Sequence, residues 1–188
     1  MLLEFVSKMS ASSKWVGCAS LCFLFINACA VGRRHTSDSE LEQKFYRHEA
    51  QFEALRIAVQ AEAKLQMIGI RELRYGDGWL SGRIDLSEIE RLGLAKERWA
   101  WYQQQMRELG LVQLFRASDG VTFKVDPASI LNGDSCKGYT YSLTPPGHQK
   151  SSLDEYRLSE SDRDSNFRNY DVCRPLKGHW YLYLFING

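Results

Sequence analysis

The chain has 188 residues, 44% hydrophobic and 25% charged, with 24 basic against 23 acidic side chains. That is the composition of an ordinary globular domain and excludes a collagen-like, low-complexity or disordered chain. A formal charge of +1 supplies no field to draw the protein onto phosphate backbones, so a nucleic-acid role has no electrostatic support.

The first element in chain order is an address. Met1 to Lys14 is polar and mildly basic, and Trp15 to Val31 then runs without a charge. A basic segment followed by an apolar one is the pattern of a secretory signal. The uncharged run contains Ser20 and Asn27 and falls short of the roughly 20 predominantly apolar residues that a spanning helix needs. A cleaved signal is therefore favoured over an uncleaved single-pass anchor, which remains a third reading. Met9 to Lys14 with the apolar run would make a compact signal peptide, whereas Met1 to Lys8 adds an apolar prefix containing Glu4; Met9 is the expected start.

Ile26-Asn27-Ala28-Cys29 resembles the lipobox of bacterial lipoprotein precursors: aliphatic, variable, small, cysteine. The resemblance implies that residues 1–28 are a signal peptide, that Cys29 receives a diacylglyceryl group, and that cleavage before it makes Cys29 the first mature residue. Two or three acyl chains anchor stably, because each buried methylene contributes about 0.8 kcal/mol and one chain alone is marginal. Ala30 follows the cysteine instead of the aspartate that retains many such proteins at an inner membrane. The implied location is thus the periplasmic face of the outer membrane if the host has two membranes. Removing residues 1–28 takes away Lys8, Lys14 and Glu4 and leaves a formally neutral mature chain.

Residues 29–36 read as a short tether, and residues 37–188 as one domain. Ser37 and Glu40 form a capping box, and Leu41, Phe45, His48, Phe52, Leu55 and Val59 follow at spacings of three and four. This predicts an amphipathic helix to about Leu65, stopped by Gly69. Tyr75-Gly76-Asp77-Gly78 is turn chemistry. A second helical region starts at Asp85, turns at Leu92-Gly93-Leu94, and resumes through Trp99, Tyr102, Met106 and Leu109 to a left-handed cap at Gly110.

From Leu111 the period becomes two. Strands are expected over 111–116 and 121–125, joined through Asp119-Gly120, then over 137–143 after a turn at Asn132-Gly133. Pro145-Pro146-Gly147 ends that strand, and 148–170 reads as a polar loop with a short helix near 153–158. The last strands, 170–176 and 179–186, flank Lys177-Gly178, and both alternate faces of Trp180 to Ile186 are large and apolar. That makes the final strand central and covered on both sides. Helices first and strands afterwards predict an α+β fold, with N-terminal amphipathic helices packed on a mainly antiparallel C-terminal sheet. Lys137 to Tyr141 and Arg174 to Tyr183 resemble segments of small bacterial lipoproteins of unassigned function, a resemblance that brings no catalytic residues.

Of the five cysteines, Cys18 and Cys22 fall in the signal and Cys29 carries lipid. Cys136 and Cys173 remain, and in an oxidising compartment two such thiols are expected to pair; two independent buried thiols are the other possibility. His48-Glu49 lacks the second histidine of a zinc protease helix, because that position is Phe52; His48 reads as a residue at the core edge. His35, His148 and His179 have no ligand spacing. Asp162 to Asn166 begins like a calcium loop, but Phe167 and Cys173 stand where glycine and glutamate are required. No metal or cofactor is expected.

Aromatic side chains concentrated at helical and strand periods are chiefly core. Tyr139, Tyr141, Tyr181 and Tyr183 are the candidate ligand-binding set. The leading reading is a non-enzymatic envelope lipoprotein, bound to the membrane through its lipid and acting on an envelope protein or cell-wall partner. The alternative is an envelope hydrolase acting on cell-wall or carbohydrate material, whose residues converge only in the fold. A pocket with histidines and carboxylates in mutual reach would favour the enzyme, and an apolar surface the binding module.

Overall fold

A computed structural model describes residues 35–130, 133–154 and 169–187. Helix α1 spans Asp38–Arg47 and begins with the expected capping box: the Glu40 N–H donates to Ser37 Oγ at 3.3 Å, and the Ser37 N–H donates to Glu40 Oε2 at 3.0 Å. His48 breaks the helix at φ −120°, and α2 follows over Glu49–Ala61. The apolar stripe survives the break, since Leu41, Phe45, Phe52, Leu55 and Val59 are all fully buried. His48 sits half-buried at the junction, its Nδ1 2.6 Å from Gln51 Oε1.

The helix does not continue to Leu65. Residues 65–81, which sequence periodicity left without strands, form a meander of three: β1 Leu65–Gly69, β2 Glu72–Tyr75 and β3 Gly78–Ser81. The turn expected at Gly76-Asp77 connects β2 to β3. Helix α3, Leu86–Leu92, is capped by Asp85 and closed by Gly93 at φ 95°; α4 covers Lys96–Glu108, and Gly110 follows at φ 58°. These positive φ values suit glycine.

Strands β4 Gln113–Arg116, β5 Gly120–Ile130, β6 Gly133–Ser142, β7 His148–Gln149, β8 Asn169–Lys177 and β9 Trp180–Asn187 complete the sheet. Its order is β3-β2-β1-β4-β5-β6-β9-β8-β7, antiparallel except between β7 and β8. The fold is α+β. The helix expected near 153–158 lies almost wholly outside the described residues, as do Asp162 to Phe167 and Asn132.

The described domain begins at His35. One sheet face carries the helices. Phe45 and Phe52 meet Phe123, Tyr139 and Trp180, with ring centroids 4.6 Å apart for Phe52 and Tyr139 and 5.2 Å for Phe45 and Trp180. The Tyr139 hydroxyl donates to the Leu41 carbonyl at 2.9 Å. Helix α4 is tied alongside by Gln103 Nε2 donating to the Gly69 carbonyl at 3.0 Å and by Arg98 paired with Glu62 at 3.0 Å. As expected for a central strand, β9 lies between β6 and β8, and Trp180 to Leu184 are buried on both faces.

Candidate functional site

Alternation along the strands separates two sets of side chains. Val121, Phe123, Tyr139, Leu182 and Leu184 take the helix side. The intervening residues turn to the opposite face, where register aligns them in rows. One row runs Phe115, Thr122, Thr140, Tyr181; the next runs Lys124, Gly138, Tyr183, Cys173; a third holds Cys136, Phe185 and Asp171.

A cleft of about 260 Å³ opens on these rows, lined by Phe115, Thr122, Lys124, Cys136, Thr140, Pro146, Asp171, Tyr183 and Phe185. Its space has a local cause. Gly138 stands between Lys124 and Tyr183 with no side chain, and a Cβ there would lie 2.0 Å from the Phe123 carbonyl oxygen. Close approach of β5 and β6 therefore requires glycine. Gly147, beside the Pro146 wall, also packs closely on the Asp171 backbone, where a Cβ would lie 2.5 Å from the carbonyl oxygen.

Polar groups ring an apolar floor. Lys124 Nζ lies 4.7 Å from the Phe115 ring centroid, a cation–π contact. Thr122 and Thr140 place their hydroxyls 3.2 Å apart. Asp171 stands on β8, three strands from Lys124, so their backbones are separated by about 14 Å at normal strand spacing, and both charges act on the Cys136 thiol between them. Burial raises the Asp171 pKa.

Cys136 Sγ is 3.6 Å from Tyr183 Oη. Burial pushes this thiol up, outweighing the Lys124 ammonium that acts the other way, and burial also holds the Tyr183 phenol well above its ordinary range. Both groups are therefore neutral at physiological pH and suited to hydrogen bonding; a nucleophilic role would need the thiolate.

The expected Cys136–Cys173 bridge is not formed: both thiols are free and buried. They do share a face, but β9 runs between their strands. Two strand spacings, about 9.6 Å, exceed the roughly 7 Å over which Cα atoms can be bridged. Cys173 Sγ instead donates to the Gly147 carbonyl at 3.6 Å.

The tyrosine set divides across the sheet. Tyr139 is core, and Tyr141 on the same face lies under the Arg56 guanidinium at 4.4 Å. Tyr181 and Tyr183 belong to the opposite face, where Tyr183 lines the cleft. Cys29 lies outside the described residues. Lys124, Asp171, Phe115 and the threonines were not legible in the sequence as a group; period-two alternation separates the two faces within each strand, but only the register brings these residues of four strands together.

Among the described residues no histidine lines the cleft, and no three His, Cys, Asp or Glu side chains gather as a metal-ligating group. The arrangement can bind: an aromatic floor stacks a planar or apolar group, the hydroxyls hydrogen-bond to it, and a cation and an anion mark opposite ends. No family model matches the chain, and no curated protein or solved structure shows significant similarity to it.

Proposed function

We propose that this chain is a membrane-tethered envelope binding module, held through lipid on Cys29 and engaging an extended peptide segment of an envelope or cell-wall partner in the cleft between Lys124 and Asp171. The observation that carries the cleft assignment is its lining: Phe115, Phe185 and Pro146 form an apolar surface, Thr122 and Thr140 flank it, and opposite charges stand at its two ends. A peptide presents backbone donors and acceptors along its length and can place an acidic group against Lys124 and a basic one against Asp171. The lipobox resemblance at Cys29 supports the tether.

Two measurements test this reading. Incorporation of a fatty-acid analogue should be lost in Cys29→Ser, and persistent labelling would refute the anchor. Mixed-charge tetra- to hexapeptides, including cell-wall stem peptides, should raise the Tm of the chain, and Lys124→Glu should abolish the rise while leaving the free-protein Tm nearly unchanged. Cleavage of the peptides would instead favour the hydrolase; indifference of Tm to every peptide would remove the cleft from consideration.

A further inference from the structure

A second feature lies at the opposite side of the sheet from β9, on the corner built by β1, β2, β3 and the start of α3. Ile70 and Trp79 are 61% and 70% exposed, and Leu86 is also exposed. Arg71, Arg74 and Arg83 are exposed among them. The Gly82 N–H donates to the Arg71 carbonyl at 2.9 Å, which joins the β1–β2 turn to the end of β3, and register sets Trp79 opposite Arg74. Among the described residues none of these three arginines has a carboxylate within ion-pair distance, whereas seven other basic–acidic pairs do form. Of the nearby acids, Glu72 accepts from Gln113 at 2.7 Å and Asp85 caps α3.

The position of this corner relative to the tether gives it a use. Register runs Glu72, Gly69, Gln113, Lys124, Gly138 across the sheet. Beyond that row, at one and the same end of the strands, lie the Ile70-Arg71 turn, Gly82-Arg83 and Ser135. His35 Nε2 is 2.8 Å from Ser135 Oγ, so the chain enters the domain at that end. Five residues lie between Cys29 and His35, so the span between them is at most about 20 Å. A lipid on Cys29 would therefore hold the point where the chain enters, at this end of the sheet, within about 20 Å of the membrane surface.

We infer that the end of this corner, Ile70-Arg71 with Arg83 and Leu86, is a second membrane contact: Ile70 and Leu86 enter the interfacial zone while Arg71 and Arg83 meet anionic phospholipid headgroups, and Trp79 with Arg74, two residues further down the β2–β3 pair, flank it. Aromatic and aliphatic tips among unpaired arginines are the residue types that an anionic lipid surface selects. The inference rests on the lipid anchor at Cys29. Its consequence is orientation, because one flexible anchor leaves a domain free to tumble and a second contact fixes the direction in which the cleft faces.

The test uses the full lipidated chain reconstituted in vesicles of phosphatidylethanolamine and phosphatidylglycerol, with an environment-sensitive fluorophore on Ile70→Cys or, for comparison, on Ile57→Cys. Ile57 is exposed on α2, towards the strand end where Arg116 meets the Ala63 carbonyl. Flotation reports the anchor, and quenching by brominated lipid reports the contact. Quenching at position 70 should exceed that at position 57 several-fold, and Arg71→Glu with Arg83→Glu should remove the excess, each arginine near an anionic surface contributing about fivefold. Flotation with equal quenching at both positions overturns the contact and spares the anchor; failure of the parent chain to float overturns both. Shielding of position 70 in native envelope membranes but not in pure lipid would assign the corner to a protein partner and overturn the lipid contact.

Discussion

On the helix-covered face of the sheet, Phe123, Tyr139 and Trp180 pack ring against ring with Phe45 and Phe52. On the opposite face the same strands present Phe115, Thr122, Lys124, Cys136, Tyr183 and Asp171 around open space. Strand, register and neighbours are shared, and only the parity of the residue differs. The comparison separates what folds the chain from what the chain can bind: one parity supplies most of the packed aromatic and aliphatic contacts, while the other carries hydroxyls, a cation and an anion around open space.

The largest expected effect lies on the covered face. Phe52 is fully buried and touches Phe45, Phe123, Tyr139 and Trp180, so Phe52→Ala should cost about 3–5 kcal/mol by urea denaturation. A loss of similar size in Thr140→Ala, on the other face, would break the contrast.

Next is Lys137, which is buried on the helix side, 1% exposed, between Asp38 at 2.7 Å and Asp154 at 2.5 Å. Asp38 also accepts from the Leu153 N–H at 2.7 Å, and Asp154 accepts from the Asp38 N–H. Lys137→Met should cost about 3 kcal/mol, because it strands the Asp38 carboxylate, and Lys137→Met with Asp38→Asn should recover part of that. The pH dependence has a definite sign. Burial alone would raise the Asp154 pKa, but the hydrogen bonds from Lys137 and the Asp38 N–H prevail and lower it. Asp154 thus contributes stability that is present above the ordinary aspartate range and is lost as pH falls through its depressed value. Acid titration of stability should flatten in Lys137→Met.

Lys137 also shows what a sequence can and cannot disclose. The helical stripe from Leu41 to Val59, the capping boxes at Ser37 and Asp85, the glycine caps and the antiparallel C-terminal strands were legible, because each is specified by residues within a few positions of one another. The β1–β3 meander was not, since its strands are only four or five residues long and Leu65 and Ile68 continue a helical spacing. Lys137 reads as an ordinary strand lysine until register and helix placement bring Asp38 to it. The cleft is harder still: Lys124, Cys136 and Asp171 come from three strands, and their assembly depends on the sheet order β5-β6-β9-β8, which no local pattern encodes. The same order explains the failure of the Cys136–Cys173 pairing, because sequence cannot show that β9 intervenes.

The smallest expected effect lies in the cleft and bears most directly on its purpose. Asp171 has its pKa raised by burial, so its folded form holds a proton more tightly than the unfolded chain does. That contribution to stability is complete below the ordinary aspartate range and is lost as pH rises through the raised value. At neutral pH the ionised carboxylate is therefore a mild liability to the free protein. Asp171→Asn should raise Tm by about 1 °C at pH 7, a size kept small by the residue's solvent contact, and should give no gain at pH 3. The same variant should weaken binding of peptides with a basic end while sparing those without one. A gain in stability together with a loss of binding would show that the open face retains this charge for its ligand; a variant that loses stability at pH 7 would make Asp171 a structural residue, and the two faces would differ less than their chemistry implies.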